Sequence, residues 1–228
     1  MELEWRQQKG NWQFGAKLPI VYNQRLVEGG SNQSLSGIGD LRPFVHYVLV
    51  NAIDSITGKG HFVRLGSELN LPNGKYQQRD NDKRMYPAGF QAGTGSYGVN
   101  PQLAYAYQGG FMGLTVTAGY QVFTENELGQ QPGSSGMLTA TAMKRWNKDQ
   151  TSFIFSVGQA VEQFDASRFY SEPQYATSTT RVSALTSFDI IRQSWWYQIS
   201  STLPIYQEVD AVQPKLTGTL SVRVARMF

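Results

Sequence analysis

Two histidines, His46 and His61, supply all the imidazole in this 228-residue chain, and cysteine is absent. Nucleophilic catalysis needs a base beside its nucleophile, and metal chemistry needs several convergent ligands. No Gly-x-Ser-x-Gly elbow, His-Glu-x-x-His pair or cysteine cluster is present to meet either need. Arg79-Asp80-Asn81-Asp82 opens like a calcium loop but lacks the following glycine and the terminal glutamate, which leaves a solvated loop. Gly93-Thr94-Gly95 precedes a strand pattern rather than a helix, so its glycines serve a turn and cradle no phosphate. The chain reads as a non-enzyme that needs neither metal nor cofactor, with His46 lining an interior and His61 beside a short turn.

The charged residues carry the stronger signal. Glu4, Arg6, Lys17, Arg42, Arg64, Glu68, Arg145, Arg181, Asp189 and Arg223 all fall on the polar side of alternating segments. If that side faces a lumen, the lining candidates are Lys17, Arg42, His46, Arg64, Glu68, Arg181, Asp189 and Arg223. Charges of both signs suit a hydrated passage or a lumen plugged by paired side chains. The net charge of +3 is scattered without a basic block, so the electrostatic footprint of nucleic-acid binding is missing.

The elements that must hold these residues are strands. From Trp12 the apolar positions are even: Trp12, Phe14, Ala16, Leu18, Ile20 and Tyr22, against Gln13, Gly15, Lys17 and Pro19. Met112, Leu114, Val116, Ala118, Tyr120 and Val122 repeat the pattern against Gly113, Thr115, Thr117, Gly119 and Gln121. Eleven such segments can be read, from Leu3–Gln8 to Leu216–Phe228. A soluble sandwich would alternate too. Several runs, however, reach 12 to 16 residues, beyond the usual roughly 5 or 6 of globular sheets and long enough for a tilted membrane strand. With 40% hydrophobic residues, the chain has no apolar run long enough for a membrane helix.

The connections alternate in length, as membrane barrels pair short periplasmic turns with longer outer loops. Short ones lie at Lys9-Gly10-Asn11, Asp54 to Lys59, Gly109-Gly110, Asn147 to Asp149 and Arg192-Gln193. Between them stand Gln24 to Gly37, Asn73 to Tyr97, Glu125 to Ser135, Ala166 to Thr177 and Asp210 to Pro214. Trp12, Trp146, Trp195 with Trp196, Tyr22 and Tyr206 sit at strand ends, where an interfacial aromatic girdle would lie. Pro19 and Pro204, which cannot donate to a ladder, mark irregular places.

The expected fold is therefore all-β: one antiparallel up-and-down transmembrane β-barrel spanning residues 1–228, in the outer membrane of a bacterial cell. Single-chain bacterial barrels normally have an even strand count. The eleven visible strands become twelve if one outward-running strand precedes Met1, or ten if Leu3–Gln8 is only an arm. The first residues also lack a secretory signal, which makes an N-terminally truncated or mature form the expectation.

Lys17-Leu18-Pro19-Ile20-Val21-Tyr22, Ser36-Gly37-Ile38-Gly39-Asp40-Leu41, Leu69-Asn70-Leu71-Pro72-Asn73-Gly74 and Gly93-Thr94-Gly95-Ser96 carry a further signal. Together they resemble the outer-membrane transporter family named after the meta pathway of phenol degradation, over about residues 10 to 125. The resemblance implies a barrel that passes small, often aromatic or apolar, compounds. The final Phe228, with Val224, Val222 and Leu220 at alternating positions, resembles the signal read by the barrel-assembly machinery.

These readings lead to a passive channel for a small solute, embedded among membrane lipid and lipopolysaccharide, with no nucleic-acid partner. Its selectivity would be set by Arg42, Arg64, Glu68, Arg181 and Arg223 and by the loop from Tyr76 to Phe90. The alternative from another class is a non-transporting structural or adhesion barrel whose outer loops bind a partner or surface polysaccharide. A hydrolase would need His46 or His61 near the outer rim, where neither is expected.

Overall fold

The computed structural model describes residues 2–26, 32–54, 56–80, 83, 85–174, 177–209 and 216–226. Its strands, in chain order, are β1 (Glu2–Lys9), β2 (Trp12–Leu26), β3 (Asn32–Ile38), β4 (Arg42–Ile53), β5 (Lys59–Asn70), β6 (Gly98–Gly109), β7 (Met112–Phe123) and β8 (Gln130–Gln131). They continue as β9 (Ser135–Lys148), β10 (Thr151–Phe164), β11 (Arg168–Phe169), β12 (Glu172–Pro173), β13 (Thr179–Arg192), β14 (Trp195–Val209) and β15 (Thr219–Arg226). A single 3₁₀ turn, Ala88–Phe90, is the one helical element among the described residues.

Eleven strands follow one antiparallel path, β1-β2-β4-β5-β6-β7-β9-β10-β13-β14-β15, and correspond one for one to the alternating segments of the sequence. The sheet curls into a half-barrel. β1 is paired with β2 from Glu2 to Lys9, as a full strand and not a loose arm. Among the described residues β1 and β15 are not paired with each other. An odd number of alternating strands leaves those two edges running in the same direction, so only a strand of opposite sense could pair antiparallel with both.

Burial decides which face meets which solvent. On β4 the buried side chains are Phe44, His46 and Val48, whereas their neighbours Val45, Tyr47 and Leu49 are exposed. The same inversion holds across the sheet. Leu220 and Val222 are 70% and 73% exposed on the convex face, while Glu68, Asp189 and Ser183 are buried on the concave one. A soluble monomer rarely exposes more than a few hundred Å² of contiguous apolar surface. A convex face built this way belongs against hydrocarbon.

Four short connections are two-residue turns: Gly10-Asn11, Gly110-Phe111, Asp149-Gln150 and Gln193-Ser194. Each opens with a positive φ (58°, 83°, 52° and 53°), the conformation that matches hairpin twist. In the fifth, the Asp54 carboxylate accepts the N–H groups of Ile56 and Thr57 at 2.7 and 2.9 Å. Those bonds, Thr57's foremost, hold its pKa below the usual carboxylate range. Aromatic contacts gather at this end on the convex face: Trp12 with Tyr47, His61 with Tyr105 and Tyr107, Trp146 with Phe153, and Trp195 with Tyr197. Trp196 departs from the expected girdle. Alternation turns it inward, and its indole N–H donates to Asp189 at 2.7 Å.

The prolines sit where pairing changes. β2 pairs with β4 from Trp12 to Lys17 and with β3 from Ile20 to Leu26, and Pro19, between the two registers, accepts the Gly39 N–H at 2.8 Å. Ser183 faces Pro204 but Val182 faces Tyr206, so Ile205 is a bulge residue. A second bulge at Leu49 shifts the phase of β4.

Inside, rings lie over glycines on neighbouring strands. Phe44 faces Gly15, His46 faces Gly66, and the two rings stack 4.9 Å apart. A Cβ on Gly66 would come within 1.9 Å of the His46 ring and 2.6 Å of the Val45 carbonyl oxygen. The backbone contact cannot be relieved by a rotamer change. Gly66→Val should therefore destabilise the folded barrel by about 1–3 kcal/mol, seen as an earlier urea midpoint in the loss of heat-resistant gel migration.

Candidate channel wall and mouth

The concave wall divides into sectors. On β1, β2, β4 and β5 the inner row carries Glu2, Glu4, Arg6, Lys17, Arg42, His46, Arg64 and Glu68, brought together by the register Glu4 to Lys17 to Arg42 and Phe44 to Glu68. The Lys17 ammonium meets Glu68 at 2.5 Å, Arg42 meets Glu68 at 3.5 Å and also pairs with Glu2, and Arg6 meets Glu4 at 2.6 Å. Arg6 and Lys17 both lie 5.5 Å from the centre of the Phe44 ring, which offers its electron-rich face to the two cations. Arg64 donates to the Gln13 amide at 3.2 Å rather than to a carboxylate. His46 is buried among these groups, and neither ring nitrogen has a hydrogen-bond partner among the described residues.

The opposite sector, on β10, β13, β14 and β15, holds a sparser set. Arg181 meets Glu162 at 2.8 Å across adjacent strands. Asp189 accepts from Trp196, Gln198 and Ser187 at 2.7, 2.8 and 3.2 Å, so amide, indole and hydroxyl donors satisfy this buried carboxylate. Arg223 stacks over the Trp196 ring at 5.4 Å. Between the charged sectors, β6, β7 and β9 line the wall with neutral groups such as Gln102, Thr115, Thr117, Thr139 and Thr141.

All eight lining candidates thus fall on the concave face. The structure separates Lys17, Arg42, His46, Arg64 and Glu68 from Arg181, Asp189 and Arg223. Glu162, absent from that set, proves to be the partner of Arg181; its position opposite Arg181 follows from strand register, which one sequence does not reveal. Phe228 and residues 210–215 lie outside the described residues.

The long-loop end is organised by one carboxylate. Buried Asp40 accepts the Gly74 N–H at 2.9 Å, the Asn70 amide at 3.0 Å, and the N–H and hydroxyl of Thr94 at 2.8 and 2.6 Å. Asn70 also donates to the Ser96 carbonyl at 2.9 Å. A Cβ on Gly74 or Gly93 would come within 2.8 Å of the Asp40 carboxylate, which explains glycine at both places. The Gly-Asp-Leu, Leu-Asn-Leu-Pro-Asn-Gly and Gly-Thr-Gly-Ser segments therefore converge on a single buried group. Phe90 and Thr94 are tied down further, by the Asn23 amide on the Phe90 carbonyl (2.9 Å) and the Asn126 amide on the Thr94 carbonyl (3.0 Å). Tyr76 donates to Glu127 at 3.0 Å; desolvation, then this bond, raise its pKa above the ordinary tyrosine value. β8, β11 and β12 form a small sheet joining the next two loops.

The family described as "Putative MetA-pathway of phenol degradation" matches residues 3–189. The chain belongs to this family. The fold of this family member is similar to that of the COG4313 outer membrane channel from Pseudomonas putida F1, with a TM-score of 0.70 at 12% sequence identity. That match covers 98% of this chain and 79% of the other. Among curated proteins, no sequence matches it.

Asp40→Asn would turn an amide donor towards at least one of the N–H or O–H groups that the carboxylate now accepts. With a buried donor left unsatisfied at a cost of about 1–3 kcal/mol, limited trypsin digestion at Lys75 and Arg79 should accelerate about tenfold. The barrel strands should resist as before.

Proposed function

We propose that this protein is an outer-membrane channel for passive uptake of small solutes, aromatic or apolar ones among them. The observation that carries the reading is the placement of the inner charges. Each ion pair among the described residues joins side chains on the same strand, on adjacent strands or across one intervening strand. Pairs of that kind coat a wall. A plug would need pairs reaching from the β1–β5 sector to the β10–β15 sector. The anchored mouth loops fit the same role, because a loop fixed at several points narrows an opening without closing it by collapse.

In this reading Arg42, Arg64, Glu68, Arg181 and Arg223 bias which solutes pass, and the loop from Tyr76 to Phe90 screens them at the entrance. The apolar convex face meets membrane lipid and lipopolysaccharide. The barrel-assembly machinery reads the last strand with its terminal Phe228. The solved structural neighbour, an outer membrane channel, and the family's link to phenol degradation support a transport role.

Purified, refolded protein in a planar bilayer should give discrete conductance steps. Arg64→Gln, which removes a cation that has no carboxylate partner among the described residues, should leave conductance in place and move the reversal potential in a salt gradient towards cation preference. Absence of both conductance and solute uptake into proteoliposomes would favour the structural or adhesion alternative.

A further inference from the structure

A cavity of about 150 Å³ opens in the neutral part of the wall, at the long-loop end. Gly119 leaves a gap in the inner row there: a Cβ on it would stand 3.1 Å from the side-chain amide oxygen of Asn100. Phe164 and the Met137 thioether supply apolar surface, and the Asn100 and Gln121 amides stand around it. Neither amide makes a side-chain hydrogen bond within the protein among the described residues. The one charge at the rim, Glu162, is neutralised by Arg181 at 2.8 Å, and that guanidinium lies 5.6 Å over the Phe164 ring. The chain next to the lining residues Ser135 and Phe164 is tied down: Gln131 donates to the Phe123 carbonyl at 2.7 Å and the Asp165 N–H to the Ser134 carbonyl at 2.8 Å.

We propose that this cavity is a binding subsite for an uncharged, single-ring solute carrying a hydroxyl or similar hydrogen-bonding group. The size argument is direct, since a cavity of roughly 150 Å³ accommodates benzene. The ring packs against Phe164 and Met137, and the polar group takes the unused donor and acceptor capacity of Asn100 and Gln121. An ion is disfavoured because Glu162 at the rim is already paired with Arg181, so its desolvation would go uncompensated. The subsite rests on the channel reading for its role as a first stop inside the mouth, while binding itself does not depend on conduction.

The test is ¹⁹F NMR of 4-fluorobenzyl alcohol titrated with the folded, detergent-solubilised chain, with 4-fluorobenzoate as the charged comparison. Saturable line broadening is expected for the alcohol and a weaker effect for the carboxylate. Gln121→Leu, which keeps the volume but removes the amide, should weaken the alcohol roughly threefold to tenfold. Gly119→Leu, which fills the gap, should abolish saturation. Broadening that only follows detergent concentration, or equal affinity in wild type and Gln121→Leu, overturns the subsite. Conductance of the same preparation separates the two readings. A barrel that conducts without saturable broadening sinks the subsite alone, and saturable, amide-dependent binding without conductance upholds it while the channel reading fails.

Discussion

Hydrocarbon offers no hydrogen bonds, and that one constraint governs this molecule. Each backbone N–H and C=O that crosses the membrane must find its partner on a neighbouring strand, at a cost of several kcal/mol for any that does not. The strands therefore run long and continuously paired, from the fourteen register pairs of β10 with β13 to the eight of β14 with β15. The same constraint sends every second side chain towards lipid and leaves the polar ones facing inward. The bulges at Leu49 and Ile205, the partner switch at Pro19 and the gap in the β6–β7 register at Asn100 and Pro101 break the ladder.

Packing a concave wall with charge raises a second problem, since unpaired ions away from bulk water are costly. The wall answers it locally. Lys17 and Arg42 share Glu68, Arg181 takes Glu162, and the buried Asp189 is satisfied by three neutral donors. Glycines opposite Phe44 and His46 let the two rings lie against the sheet. At the mouth Asp40 does for the loops what the ladder does for the strands: it gives irregular backbone a fixed set of hydrogen-bond partners.

Much of this was legible in the sequence because a period of two is a local signal. The eleven long strands, their inner and outer faces and the alternation of turn lengths all follow from it. What was not legible depends on partners distant in the chain. β3 lies in a stretch that reads as loop, and it exists because Ile20 to Leu26 runs past the end of β4 and finds Asn32 to Ile38 instead. The two-residue strands β8, β11 and β12 carry no periodicity at all. Asp40 was visible only as part of a glycine-rich motif; its four donors come from two other segments, Leu69–Gly74 and Gly93–Ser96. Trp196 was grouped with Trp195 by adjacency, although neighbours on a strand point to opposite faces.

The central claim, that the apolar face is the outer, lipid-facing one, can be tested directly because the chain has no cysteine of its own. Single cysteines at Leu114, Thr115, Val116 and Thr117 of β7, in protein reconstituted into vesicles, would be exposed to a charged, membrane-impermeant maleimide and to a lipid-borne quencher of a thiol-attached dye. The account predicts that cysteines at 115 and 117 react with the maleimide and escape the quencher, while those at 114 and 116 do the reverse. Alternation of the opposite sense, or no alternation along the strand, would contradict it.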